Sequence, residues 1–258
     1  LRSSVARFTF PKGESHVLLN LGEGLTNESG AMVKKVSDTE WEGVKLQGTF
    51  CYNSQAVFPI YFVMRISRQP LASGYWKKQR TMKGAEAEWD PDNGKYKLYT
   101  SYQKELSGDD IGVWMNFNTE ANEQIDVQMG VSFVSIANAR ENLEKEQSGK
   151  DFDIIHAEAN RKWNDDLSRI LVEGGTKTER TIFYTALYHT LIHPNILQDV
   201  NGQYPAMESN DIRTVSDGNR YTVFSLWDTY RNVHQLLTLV YPERQRDMIR
   251  SMIAMYDE

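Results

Sequence analysis

The densest run of chemically useful side chains is Tyr221-Thr222-Val223-Phe224-Ser225-Leu226-Trp227-Asp228-Thr229-Tyr230-Arg231. A polar loop runs into a helical pattern here, with Ser225 placed as its cap. Trp227, Asp228 and Arg231 then fall in the first turns of the helix. Helix starts border binding pockets well, because their unpaired N–H groups and the positive end of the dipole face outward. An indole can stack on a sugar ring, and a carboxylate can accept hydrogen bonds from two vicinal hydroxyls. Arg231 follows Asp228 by three positions, on the same helix face. The plainer alternative makes Trp227 a core residue and Asp228–Arg231 a local ion pair.

Other candidate chemistry is weaker. His189 and His193 are an i, i+4 pair that could meet zinc, but Thr190-Leu191-Ile192 between them lacks the zincin glutamate. Asp199, Asn201 and Asp211 offer oxygen ligands near a glycine without EF-hand spacing. Cys51 is the single cysteine. It has no assignable base partner and reads as an inert buried thiol. No phosphate-binding glycine loop and no Gly-x-Ser-x-Gly elbow occurs.

The elements that must position these residues divide into two kinds. Up to about residue 135, short apolar stretches alternate with turn signals. Arg7–Phe10, His16–Asn20, Trp41–Leu46, Phe58–Arg65, Lys95–Tyr99 and Ile125–Val134 read as strands, and Pro91-Asp92-Asn93-Gly94 as a turn. Many short strands at this spacing indicate an antiparallel sandwich. The rest is helical. Ala137–Gln147 is charged; Asp153–Ile170 carries Ile154, Ile155, Ala159, Trp163, Leu167 and Ile170 mostly three or four apart, and Gly174-Gly175 ends it. Thr178-Glu179-Arg180-Thr181 offers caps for a stripe through Ile182, Phe183, Ala186, Leu187 and Leu191, which stops near Pro194. Gln203–Arg220 reads as a long polar loop. Ser225–Val240 and Glu243–Tyr256 read as further helices.

The 258 residues, 40% hydrophobic and 25% charged, describe an ordinary globular chain. A net charge of −6 argues against a nucleic-acid surface. No apolar run approaches the roughly 18–20 residues that cross a bilayer, and no signal-peptide pattern opens the stretch. One cysteine excludes an internal disulfide but leaves the compartment open. Six Trp and thirteen Tyr suit a sugar site as well as any core.

Taken in order, the motifs resemble glycoside hydrolase family 92. Ile125-Asp126-Val127-Gln128-Met129-Gly130-Val131-Ser132-Phe133-Val134-Ser135, followed by Ala139-Arg140-Glu141-Asn142-Leu143, resembles the end of that family's N-terminal sandwich. Trp163-Asn164 to Leu167 and Ile170-Leu171-Val172-Glu173-Gly174-Gly175 resemble its linker helix, and Phe183-Tyr184-Thr185-Ala186-Leu187-Tyr188-His189 its first barrel helix. Phe224-Ser225-Leu226-Trp227-Asp228-Thr229-Tyr230-Arg231 is the most specific match; Asp199–Tyr204, Leu236–Leu239, Pro242–Arg244 and Asp247–Met252 complete it. His234-Gln235, where the family often has His-Pro, is a minor departure.

The resemblance implies an α+β, multidomain chain: an antiparallel β-sandwich at 1–136, linker helices at 137–175, and the first helices of an (α/α)6 toroid barrel at 176–258. It implies an inverting, calcium-assisted exo-α-mannosidase acting on mannose-containing glycans, periplasmic or secreted/cell-surface in a bacterium. It implies Trp227, Asp228 and, more weakly, Arg231 as sugar contacts. No carboxylate in this chain matches a catalytic position. The family's acid Glu, base Asp and Ca2+ ligands would follow residue 258, and its early sandwich strands would precede residue 1. The chain is therefore expected to be an internal fragment, inactive alone, with the rest of the barrel on another chain or in further sequence. Leu236, Leu237, Met248, Ile249 and Met252 are expected to lie open to water. A different sandwich-plus-barrel hydrolase or phosphorylase, and a non-catalytic carbohydrate-binding protein, are the alternatives.

Overall fold

A computed structural model describes residues 2–24, 28–48, 57–79, 95–99, 104–207, 209 and 211–258. The proposed turn at 91–94 and Cys51 lie outside them. The chain forms two compact units, residues 2–148 and 149–258.

The first unit is built from β1 (Ser3–Phe10), β2 (Gly13–Asn20), β3 (Glu28–Ser37), β4 (Glu40–Gly48), β5 (Val57–Ile66), β6 (Ala72–Gln79), β7 (Lys95–Tyr99), β8 (Glu105–Gly108), β9 (Ile111–Thr119) and β10 (Glu123–Ser132), then helix α1 (Ile136–Gln147). The strands pair antiparallel in two sheets, ordered β1-β10-β5-β4-β3-β8 and β2-β9-β6-β7. Alternation explains the layering. On β9, Val113, Met115 and Phe117 turn inward, where they meet Trp41, Phe62 and Met64 of the other sheet in one core. Tyr75 completes it, and its hydroxyl accepts from Lys35 N (2.8 Å) and donates to Lys104 O (2.7 Å).

On β5 the residue between Phe62 and Met64 points the other way. Val63 is buried beneath α1 against Ala139 and Leu143. Ser135 caps α1 by accepting from Asn138 N, and Asn142 Nδ2 donates to Val131 O at 2.8 Å. The helix approaches so closely that a Cβ on Gly130 would lie 2.3 Å from Ala139 O. Charges fasten the other flank. Glu40 accepts from both Arg65 and Arg140, while these arginines also reach Glu144 (3.1 Å) and Glu42 (2.7 Å).

The second unit contains α2 (Phe152–Leu167), α3 (Lys177–Thr190), the short strands β11 (Asn195–Ile196), β12 (Gln203–Pro205), β13 (Ile212–Thr214) and β14 (Tyr221–Thr222), then α4 (Leu226–Thr229), α5 (Val233–Val240) and α6 (Pro242–Tyr256). Its core joins Leu187 and Leu191 to Tyr221, Leu237, Tyr241 and Met248. The architecture is thus α+β, with antiparallel sheets followed by helices.

Several local expectations are corrected. Helix α3 is capped by Thr176, not Thr178: Thr176 Oγ1 accepts from Glu179 N while the Glu179 carboxylate accepts from Thr176 N at 2.7 Å, a reciprocal capping box. The loop expected at 203–220 contains the hairpin β12–β13. The single helix expected from Ser225 to Val240 breaks after Thr229, where Asn232 leaves helical geometry and Gln235 Nε2 takes the Tyr230 carbonyl at 2.9 Å. Leu237 and Met248, expected at the surface, are fully buried.

Candidate functional site

The segment leading to Trp227 is tied down before it reaches the helix. Asp247 and Ser251 are four residues apart on α6, hence on one face of it. Asp247 Oδ2 accepts from Asn219 N at 3.0 Å, and Ser251 Oγ accepts from Tyr221 N at 2.8 Å. Between them, Arg220 N donates to Gln198 Oε1 at 2.9 Å. The Arg220 guanidinium is buried: it donates to Ser251 O (2.6 Å) and Glu258 Oε2 (2.8 Å) and lies 4.8 Å over the Tyr204 ring. Tyr204 Oη in turn donates to Glu258 Oε1 at 3.0 Å. Burial and the Glu258 carboxylate together push the Tyr204 phenol above its ordinary range.

Past Thr222 the chain turns sharply. Val223 has φ +62°, a left-handed conformation that costs a β-branched residue on the order of 1–3 kcal/mol. Ser225 then stands at the cap position of α4, but its hydroxyl is spent otherwise, donating to Asp228 Oδ2. First-turn backbone bonds go to the Ser225 carbonyl, from Asp228 N and Thr229 N at 3.0 Å each. Behind the turn, His234 bridges Thr229 Oγ1 (2.9 Å) and Gln245 Oε1 (3.0 Å), linking α4 to α5 and α6.

Trp227 is 74% exposed, which removes the core alternative for it. Arg231 places its guanidinium 5.3 Å from the Trp227 ring and 5.3 Å from the Tyr230 ring, in cation–π range of both. The Asp228–Arg231 ion pair of the plainer alternative does not form either; in its place stand a Ser225–Asp228 hydrogen bond and an Arg231–aromatic stack. Trp227, Asp228 and Arg231 are all exposed: Arg231 lies against the Trp227 ring, while the Asp228 carboxylate, on the same short helix as Trp227, is held by Ser225. Such a group suits an uncharged, hydroxyl-rich ring with an apolar face.

The other candidates do not assemble. Among the described residues, no group of three or more His, Cys, Asp or Glu side chains is placed to hold a metal ion. His189 lines an open groove of ≈620 Å³ along α3, with Leu167, Lys177, Arg180, Tyr184 and Tyr188. That groove does not include Trp227, Asp228 or Arg231 in its walls, so the two are separate features. Sequence reasoning passed over Arg220, Asp247 and Ser251. The one signal available was the Asp217-Gly218-Asn219 turn chemistry just before Arg220.

A sandwich followed by a helical unit, carrying an exposed Trp-Asp group, fits the glycoside hydrolases, and family models make that class specific. One described as the glycosyl hydrolase family 92 N-terminal domain matches residues 1–132, and one described as the family 92 catalytic domain matches residues 138–258. The chain belongs to glycosyl hydrolase family 92.

Solved relatives have the same fold. A family GH92 α-mannosidase from Bacteroides thetaiotaomicron, also solved in complex with mannoimidazole, is 27% identical with a TM-score of 0.83, covering 100% of this chain and 32% of that one. A family GH92 inverting mannosidase from Bacteroides thetaiotaomicron VPI-5482 is 25% identical with a TM-score of 0.80, with the same coverage. An uncharacterized secreted glycosidase of Arthroderma benhamiae is 27% identical over 127 residues, 47% of this chain and 15% of that protein. The chain thus spans about a third of the length of the solved relatives it matches.

Proposed function

We propose that the protein carrying this chain is an exo-acting α-mannosidase that removes terminal α-linked mannose from glycans by an inverting single displacement. The observation that carries the proposal is the exposed Trp227–Asp228 group in a family 92 chain whose whole length aligns with α-mannosidases. Trp227 stacks on the apolar face of the terminal mannose. Asp228 accepts hydrogen bonds from adjacent hydroxyls, and Arg231 holds the indole in place from its other side.

Inversion in one step needs a carboxylic acid that protonates the leaving oxygen and a carboxylate that activates water, roughly 6.5–9.5 Å apart. Neither role is assigned within residues 1–258, so this chain contributes to the sugar-binding wall and the bond-breaking carboxylates come from other segments. Calcium assistance is part of the proposal. In this reading its ligands come from outside this chain, as the family resemblance implies, and no step here passes through it; among the described residues no group of three or more His, Cys, Asp or Glu is placed to hold an ion. Export from the cell is part of the proposal, supported by the Arthroderma relative's description as secreted.

The test is direct. The full-length protein, supplied with calcium, should release mannose from α-linked mannosides in the inverted anomer and lose that activity to a chelator, while residues 1–258 alone release none. Sugar binding without turnover by the full-length protein would overturn the proposal in favour of a carbohydrate-binding role.

A further inference from the structure

Three consecutive backbone N–H groups, those of Asn219, Arg220 and Tyr221, donate to side-chain acceptors: Asp247 Oδ2, Gln198 Oε1 and Ser251 Oγ. Strand ladders ordinarily satisfy such groups through other backbone. Here the anchors are side chains, and they are buried: Ser251 is 3% exposed, Gln198 and Asp247 5%, and the anchored Arg220 3%. Arg220 closes the arrangement from the loop side by donating to the Ser251 carbonyl. Gly218 lets the segment approach, since a Cβ there would lie 2.5 Å from Asp247 Oδ1.

The clamped segment is followed at once by strain. Val223 sits in the left-handed region although it is β-branched and 59% exposed, so little packing compensates it. A connection with no other duty would carry glycine or asparagine at such a φ. Strained residues persist where the surroundings over-determine them, and they gather at ligand clamps. Four residues beyond Val223 stands Trp227, and five beyond stands Asp228.

We propose that Asp247, Ser251 and Arg220 are positioning residues: they hold residues 219–221 on α6, so that the bend at Val223 delivers Trp227 and Asp228 to a fixed place for the sugar. They touch no substrate themselves. The inference rests on the assignment of Trp227 and Asp228 as sugar contacts.

The experiment uses the full-length protein with α-linked mannobiose, reading KM and kcat separately alongside the thermal midpoint. Val223→Gly is the decisive variant, because it frees the backbone without emptying any buried site. Its thermal midpoint should equal or exceed that of the parent. Its KM should rise about tenfold with kcat less affected, as expected when a binding group is displaced by a fraction of an ångström. In the Val223→Gly background, Trp227→Ala should add much less than it does alone, because the ring has already lost its place. Asp247→Ala should raise KM likewise, and Asp247→Asn, which keeps an acceptor for Asn219, should restore most of the loss.

If Val223→Gly leaves KM within roughly twofold of the parent while Trp227→Ala raises it, the positioning inference is overturned and the sugar contacts stand. If Trp227→Ala and Asp228→Ala both leave KM unchanged, the contacts themselves are wrong and the inference goes with them. Full additivity of Val223→Gly and Trp227→Ala would also overturn it, since the bend would then act elsewhere.

Discussion

At the residue scale, Trp227 and Asp228 stand exposed on a short helix, and the segment that leads to them is held by side chains of α6. Trp227 and Asp228 were legible because their cues are local: a loop, a cap-type serine, then a helix start. The clamp behind them was not, because Asn219 and its acceptor Asp247 are 28 residues apart and belong to different elements. No periodicity reports such a pairing.

The same holds for Glu40, an unremarkable glutamate in sequence that proves to be the hub of an ion cluster. Burial alone would raise its pKa, but the hydrogen bonds and charges of Arg65 and Arg140 outweigh this and hold the carboxyl below its ordinary value. The depressed group stabilises the folded state above the unfolded pKa of about 4.3, and that contribution is lost as pH falls through the lower folded value. Urea denaturation across about pH 3 to 7 should therefore show stability declining on the acid side. Glu40→Gln should lower stability near neutrality by on the order of 1–3 kcal/mol and flatten the acid decline. An unchanged acid slope in Glu40→Gln would show that other carboxylates set it.

At the scale of elements, most but not all strands with clean alternation were readable; β9, with Val113, Met115 and Phe117 turned inward, was not marked. β1, β2, β4, β5, β7 and β10 each overlap a stretch marked by apolar spacing. β3, β6, β8 and β9 were passed over: Lys34-Lys35, Lys77-Lys78 and the short run at Glu105–Gly108 interrupt the pattern in the first three, although each pairs with its neighbours, β3 against β4 with two register shifts. Helix α2 shows the opposite failure. Its spacing promised one apolar face, but none of its residues is buried; Leu167, at its end, packs partly against the helical core, and Trp163 lies 4.6 Å from the Tyr188 ring. Period alone shows that a face exists, not what covers it.

The packing of α1 on the sheet gives a sharper test. Gly130 is needed there for close approach, because its missing Cβ makes room for Ala139 O and for Leu143 Cβ, at 2.3 and 2.7 Å from where a Cβ would stand. Gly130→Ala should force the helix outward and destabilise the sandwich by about 1–3 kcal/mol, against the usual gain from a Gly→Ala change at a permissive site. Chemical denaturation of the variant and parent decides it, and equal midpoints would mean that α1 shifts freely on β10.

At the scale of the whole chain, the sandwich unit and the helical unit differ in how completely they bury their own apolar residues. The sandwich closes a core between two sheets and covers one outer face with α1. The helical unit buries Leu237 and Met248, yet leaves Ile182, Leu239, Ile249 and Ile253 exposed, with Leu239 at 82%. Scattered single apolar residues on a surface need no explanation, but Ile249 and Ile253 are four apart on α6 and share one face of it. Apolar surface of this kind normally marks a contact.

The chain covers 32% of a solved α-mannosidase it aligns with, and in a protein extending to that length further residues would be available to meet those side chains. Residues 1–258 produced alone should therefore self-associate in a concentration-dependent way and bind an apolar dye, while the full-length protein should do so far less. Sedimentation velocity over a tenfold or so range of concentration measures the first, and dye fluorescence the second. Ile249→Glu and Ile253→Glu should suppress the association without lowering the thermal midpoint, because neither side chain belongs to the buried core. A monodisperse monomer that ignores both the dye and these substitutions would mean that the exposed face of α6 is satisfied by water, and that the remaining protein packs elsewhere.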